Sequence, residues 1–169
     1  LKYFEESLKI NDSYVNTYDS LIGYFLLKET GNDMLFVFGD GKIINEDRKS
    51  KLFDYINKSM NINNSRAVTF FYISVTEDLL GKKESAREWL RKALILIDND
   101  NTLWGESKNL LRSYVYFKLA SLRSDRGAME NDLNLAIKNN AGIKKEILEL
   151  AQNNPEDLRI KEILAILDK

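Results

Sequence analysis

The chain has 169 residues, a formal net charge of −1, and 44% hydrophobic and 30% charged residues, a globular rather than a disordered composition. It has no His and no Cys, which excludes disulfides, Cys-based zinc sites and thiol catalysis and removes the commonest general base, without excluding Asp/Glu, Lys or Ser chemistry. The near-zero charge gives no field to draw in nucleic acid, and no apolar run approaches the roughly 18 residues of a membrane helix.

With eight glycines and one proline, Pro155, the punctuation of a sandwich or barrel is missing and helices are favoured. From the N-terminus, Leu1, Phe4 and Leu8 form an apolar stripe, and the helix that should cover it is missing. Tyr18, Leu21, Ile22 and Phe25 mark the next helix. Residues 31–47 break the helical pattern. There Met34-Leu35-Phe36-Val37-Phe38, Gly39-Asp40-Gly41 and Lys42-Ile43-Ile44 predict a short β-hairpin over 34–44, since aromatic and β-branched residues flank a turn sequence. This insertion either packs its apolar face on the helices or touches a partner.

Further along, residues 67–80 are apolar nearly all round, the signature of a helix covered on every side or lining an apolar groove. Gly81 makes the following turn. Ala86, Leu90, Ala93, Leu94 and Ile97 then recur at i, i+4, i+7, i+8 and i+11, one stripe of a helix. Asp98-Asn99-Asp100 reads as a turn between repeats. Tyr114, Phe117 and Ala120 lie on a helix over about 106–124, and Met129, Leu133 and Ala136 on the next. Ile143, Ile147, Leu150 and Ala151 mark another amphipathic helix. The last has Asn154 as expected N-cap, Pro155 at its first position, and Ile160, Ile163, Leu164 and Leu167 along one face.

Three segments, starting at Phe4, Ile56 and Leu90, share a pattern: a large apolar residue, two polar ones, a small residue, then another large apolar one; Leu133-Asn134-Leu135-Ala136-Ile137 repeats most of it. The small residues are Ser7, Ser59, Ala93 and Ala136, separated by 52, 34 and 43. The middle spacing equals the tetratricopeptide period of about 34 residues. The chain resembles the tetratricopeptide repeat family, bacterial type, on three further matches: Tyr18-x2-Leu21-Ile22-x2-Phe25, Phe70-x2-Ile73-Ser74, and Ala86-x3-Leu90-x2-Ala93. Ile22 stands where that family prefers Gly, and Glu77 where it prefers an aromatic. The resemblance implies an all-α, right-handed superhelix forming a single domain over 1–169: a half repeat at 1–11, repeats at 14–64 (with the insertion), 66–99 and 106–139, and capping helices at 142–168. It also implies that the chain is the C-terminal part of an array, continued upstream of Leu1 or paired with another copy through the N-terminal helix.

Little chemistry accompanies this pattern. Asp40, Glu46 and Asp47 lack the spacing of a calcium loop, Gly39-Asp40-Gly41 is not followed by the Lys-Ser/Thr of a phosphate loop, and Glu5-Glu6 and Glu77-Asp78 sit in helical segments. The Asn-x-Ser triplets at Asn11, Asn57 and Asn63 read as products of an Asn-rich composition. No catalytic residue, metal ligand or cofactor is expected, and the chain is not expected to be an enzyme.

In the resembling family the first helix of each repeat lines a concave groove. The resemblance therefore implies contact residues Asn16, Asp19, Ser20 and Gly23, then Phe71, Tyr72 and Val75, then Tyr114 and Lys118. Asn amides both donate to and accept from an extended backbone, and aromatic residues anchor interfaces. The family's cluster for a terminal carboxylate is not reproduced by Lys118 alone. The expected function is a scaffold for a protein or peptide, with no nucleic acid partner and no membrane insertion. A peptide-sensing domain of a longer protein, or an accessory subunit of an envelope or enzyme assembly, is the alternative. No signal peptide is visible and the first residue is not Met, so the compartment stays open. Because Ala93 is assigned to a close helix crossing, Ala93→Leu should overpack it and lower stability by ~1–3 kcal/mol in urea denaturation.

Overall fold

The computed structural model describes residues 2–30 and 46–168. Among the described residues there are nine α-helices and no strand. The hairpin expected over 34–44 lies outside the described residues. The chain divides into two compact units, residues 1–100 and 101–169.

The first unit contains α1 (Lys2–Ile10), α2 (Val15–Thr30), α3 (Glu46–Ile62), α4 (Ala67–Leu79) and α5 (Lys83–Ile97). Helix α2 packs on α3 and α4, α4 packs on α5, and α1 rests on α2. On α5 the stripe is buried as its spacing requires: Ala86, Leu90, Ala93 and Ile97 are covered, and Leu94 half so. Ser59 is likewise fully buried. A small side chain at these points lets two helix backbones approach closely. Aromatic pairs complete both hairpins. Tyr55 of α3 lies 6.1 Å from Tyr18 and 5.8 Å from Phe25 of α2, while Trp89 of α5 lies 5.4 Å from Phe70 of α4.

The turns carry a repeat that composition had disguised. In Asn11-Asp12-Ser13 the Asn11 carboxamide oxygen accepts from Ser13 N at 3.0 Å and from Ser13 Oγ at 2.7 Å. In Asn63-Asn64-Ser65 the Asn63 oxygen accepts from Ser65 N and Oγ at the same two distances. The flanking residues match too. Ser7 Oγ meets Thr17 Oγ1 at 3.4 Å, and Ser59 Oγ meets Thr69 Oγ1 at 3.2 Å. These Asn-x-Ser triplets are therefore side-chain-closed turns between helices, which is a physical reason for two of the three.

Two other devices fix the α4–α5 hairpin. Gly81 has φ 76°, the left-handed conformation that costs an L side chain energy. It closes α4 with two bonds, Gly81 N to the Asp78 carbonyl at 2.8 Å and Lys82 N to the Glu77 carbonyl at 2.9 Å. At the other end, Arg66 gives α4 no side-chain cap. Instead the buried Asp100 carboxylate accepts from Ala67 N at 2.9 Å. The turn after α5 thus satisfies an otherwise orphaned donor at the start of α4, and Asp98-Asn99-Asp100 is a turn.

The second unit contains α6 (Gly105–Ser121), α7 (Arg126–Asn139), α8 (Ile143–Asn153) and α9 (Leu158–Leu167). Helices α6 and α7 form a hairpin; α8 touches α7 and α9. Met129, Leu133 and Ala136 of α7 are buried, as are Val115, Phe117 and Ala120 of α6. One helix start differs from expectation. Helix α9 begins at Leu158, not Pro155, because Asp157 is its N-cap, accepting from Arg159 N at 2.8 Å and Ile160 N at 3.1 Å. The Asn154 amide instead points back and donates to the Leu150 carbonyl of α8 at 3.1 Å. On α9, Ile160, Ile163 and Ile166 are the buried residues, whereas Leu164 and Leu167 are half-buried.

Gly81→Ala should lower the melting temperature and cost about 1 kcal/mol, because an added Cβ disfavours the left-handed backbone there. A thermal melt of the single variant measures it.

Candidate binding surfaces

Helices α2 and α4 carry most of the expected contact residues, and the two faces of α2 have different fates. Asn16 and Ser20 are exposed one turn apart, with Ser20 Oγ donating to the Asn16 carbonyl at 2.8 Å. The Asn16 amide donates to the Tyr14 hydroxyl at 3.2 Å, and Tyr14 is itself exposed. These three side chains make a polar and aromatic strip at the start of α2.

Asp19 points the other way. It is buried, and its Oδ1 accepts from Ser59 Oγ at 2.8 Å and from Thr69 Oγ1 at 2.9 Å. Its Oδ2 pairs with the Arg66 guanidinium at 2.8 Å, both side chains 8% exposed. Burial pushes the Asp19 carboxyl above its ordinary value, outweighing the pull of Arg66 and the two hydroxyls. Such a pair locates its elements more than it stabilises them. Asp19 is thus a tie between α2, α3, α4 and the turn before α4, and not a groove residue.

On α4, Phe71 and Val75 are buried, and Gly23 of α2 is too. Tyr72 is half-buried. Desolvation, helped by the charge of Asp19, pushes its phenol up to about 12, so it stays protonated at neutral pH. The all-round apolar character of 67–80 therefore reflects a helix enclosed by its neighbours. On α6, Tyr114 is half-buried and Lys118 is 1% exposed. Of the nine expected residues, Asn16 and Ser20 are open to a partner, Tyr72 and Tyr114 partly so. Asp19, Gly23, Phe71, Val75 and Lys118 are covered, because projection from one helix cannot count how many neighbours surround it.

The second unit has a feature that periodicity missed. An open cleft of about 420 Å³ lies where the start of α6 meets the end of α7, lined by Glu106, Ser107, Asn109, Leu110, Asn139 and Asn140. The Asn139 amide donates to the Leu135 carbonyl at 2.7 Å, and the Asn140 oxygen accepts from Gly142 N at 3.0 Å, which orients both. Trp104, the residue before α6, is 81% exposed. It does not line the cleft, and no pattern in the sequence pointed there.

Among the described residues, no helix is long and apolar enough to cross a membrane, and no three acidic side chains gather as metal ligands. No protein-family model, no curated protein and no solved structure matches this chain.

Asp19→Ala leaves the Arg66 guanidinium buried and unpaired, and should cost about 3 kcal/mol in urea unfolding. Asp19→Leu combined with Arg66→Met should recover most of that loss. Equal destabilisation by the single and double changes would show that the ion pair is not the cause.

Proposed function

We propose that the chain is a tetratricopeptide-like helical repeat scaffold that holds a protein or peptide and performs no turnover. The observation that carries this reading is the recurrence of one structural unit within residues 1–100: the same Asn-x-Ser turn, the same Ser–Thr hydroxyl pair and the same aromatic contact across a hairpin. Stacked units of this kind form extended surfaces from many small contributions. Four of the polar groups buried within this unit, Asp19, Arg66, Ser59 and Thr69, are engaged with one another, as in packing rather than catalysis. The sequence offers no His or Cys to serve as base, nucleophile or ligand.

In this reading the partner meets Asn16 and Ser20 of α2, with Tyr14 as the aromatic contact beside them, while the half-buried Tyr72 and Tyr114 are further contact residues, each in its own unit. The alternatives, a peptide-sensing domain of a longer protein or an accessory subunit of an envelope or enzyme assembly, use the same surface with a different partner. Affinity capture with the full chain identifies the partner. Asn16→Ala with Ser20→Ala should then weaken its binding about tenfold while helicity by circular dichroism stays unchanged. Unchanged affinity of this double variant would move the contact away from α2.

A further inference from the structure

Two hairpins with a small residue on their second helix close differently. In the α4–α5 hairpin the Asp100 carboxylate, seven residues after Ala93, ties the turn after α5 to the first amide of α4 at 2.9 Å. In the α6–α7 hairpin the residue seven after Ala136 is Ile143, whose side chain is buried. Helix α6 begins without a side-chain cap, and the open cleft of about 420 Å³ lies at that end of the hairpin. Its size is that of a small-ligand site.

The polar groups of the cleft are oriented by their own contacts. The Asn109 oxygen accepts from the Arg112 guanidinium at 3.1 Å and the Asn140 oxygen from Gly142 N at 3.0 Å, which leaves both amide nitrogens as donors. The Asn139 nitrogen donates to the Leu135 carbonyl at 2.7 Å, which leaves its oxygen as an acceptor. Among the described residues Glu106 is the one ionisable side chain lining the cleft, and it has no ion pair among them. Lys138, one residue before Asn139, is exposed and does not line it. The carbonyl end of α7 adds partial negative charge. An anion at the uncapped start of α6 would have to sit against the Glu106 carboxylate, so the cleft favours a cation.

We infer that this cleft binds an arginine side chain of an extended peptide segment. The guanidinium forks onto the Glu106 carboxylate and donates to the Asn139 oxygen, a planar match that an ammonium does not make. Leu110, 40% exposed, covers the aliphatic stem. The carbonyls of the peptide accept from the amide nitrogens of Asn109 and Asn140. This site belongs to the second unit, whereas the Asn16 and Ser20 strip belongs to the first.

The probe is the blocked tripeptide acetyl-Ala-Arg-Ala-amide, titrated into the full ¹⁵N-labelled chain and followed by nuclear magnetic resonance. Saturable shifts of the Asn139 and Asn140 side-chain amides and of the Ser107 backbone amide are expected, in the millimolar range. Glu106→Gln should weaken binding about tenfold, the scale of one charge-assisted hydrogen bond. The same loss is expected when the arginine is replaced by citrulline, which keeps the shape and removes the charge. Glu88→Gln, an equal charge change at an exposed position of α5, should leave binding unaltered. Glu106 and Glu88 are both exposed, and circular dichroism confirms that the variants fold. Shifts that do not saturate, or equal affinity for the citrulline peptide or in the Glu106→Gln chain, would overturn the inference. Equal weakening by Glu88→Gln would show only a general attraction of a cation to the chain and would overturn it too. None of these results depends on the Asn16 and Ser20 strip, because the tripeptide is read at side chains of α6 and α7 alone.

Discussion

The first unit depends on one small side chain, Ser59, at the point where three helices meet. Its hydroxyl reaches the carboxylate of α2 and the threonine of α4 at once. A larger residue would hold the helices apart, and an apolar one would leave Asp19 short of a donor. Close approach and polar satisfaction are thus the same requirement. Arg66 completes the arrangement by supplying the charge that a buried carboxylate needs.

Around that point the unit is assembled from short-range devices. Two Asn-x-Ser turns set the path of the chain between helices, and Gly81 reverses it within a hairpin. Asp100 then returns to the start of α4, so the end of one hairpin secures its own beginning. Each device satisfies backbone groups that a helix end leaves open.

The same local rules explain where the helices offer surface. Repetition places equivalent side chains on α1, α3 and α5, but the number of neighbours around each helix differs. Tyr55 and Trp89 have ring partners, whereas Tyr3 is 85% exposed and has none among the described residues. Along α4 nearly every side chain is enclosed, and along the start of α2 one face stays open. Which of the repeated side chains stay exposed is therefore set by how many helices surround each one.

The sequence by itself determined the helices and their inward stripes. Ala86, Leu90, Ala93 and Ile97 at helical spacing could be buried on one face only, and Gly81 could only end a helix. It also carried the close crossings, because Ser59, Ala93 and Ala136 are small residues on otherwise bulky stripes. Tertiary structure decided which residues stay exposed. Asp19 and Asn16 lie three residues apart on one helix, yet only Asp19 meets Ser59 and Arg66, residues 40 and 47 positions away. Phe71, Val75 and Lys118 looked available for the same reason that Asn16 did. The cap of α9 moved to Asp157 because its carboxylate reaches two amides there. Periodicity records which face of a helix is apolar; burial depends on every element that packs against it, and those contacts come from distant parts of the chain.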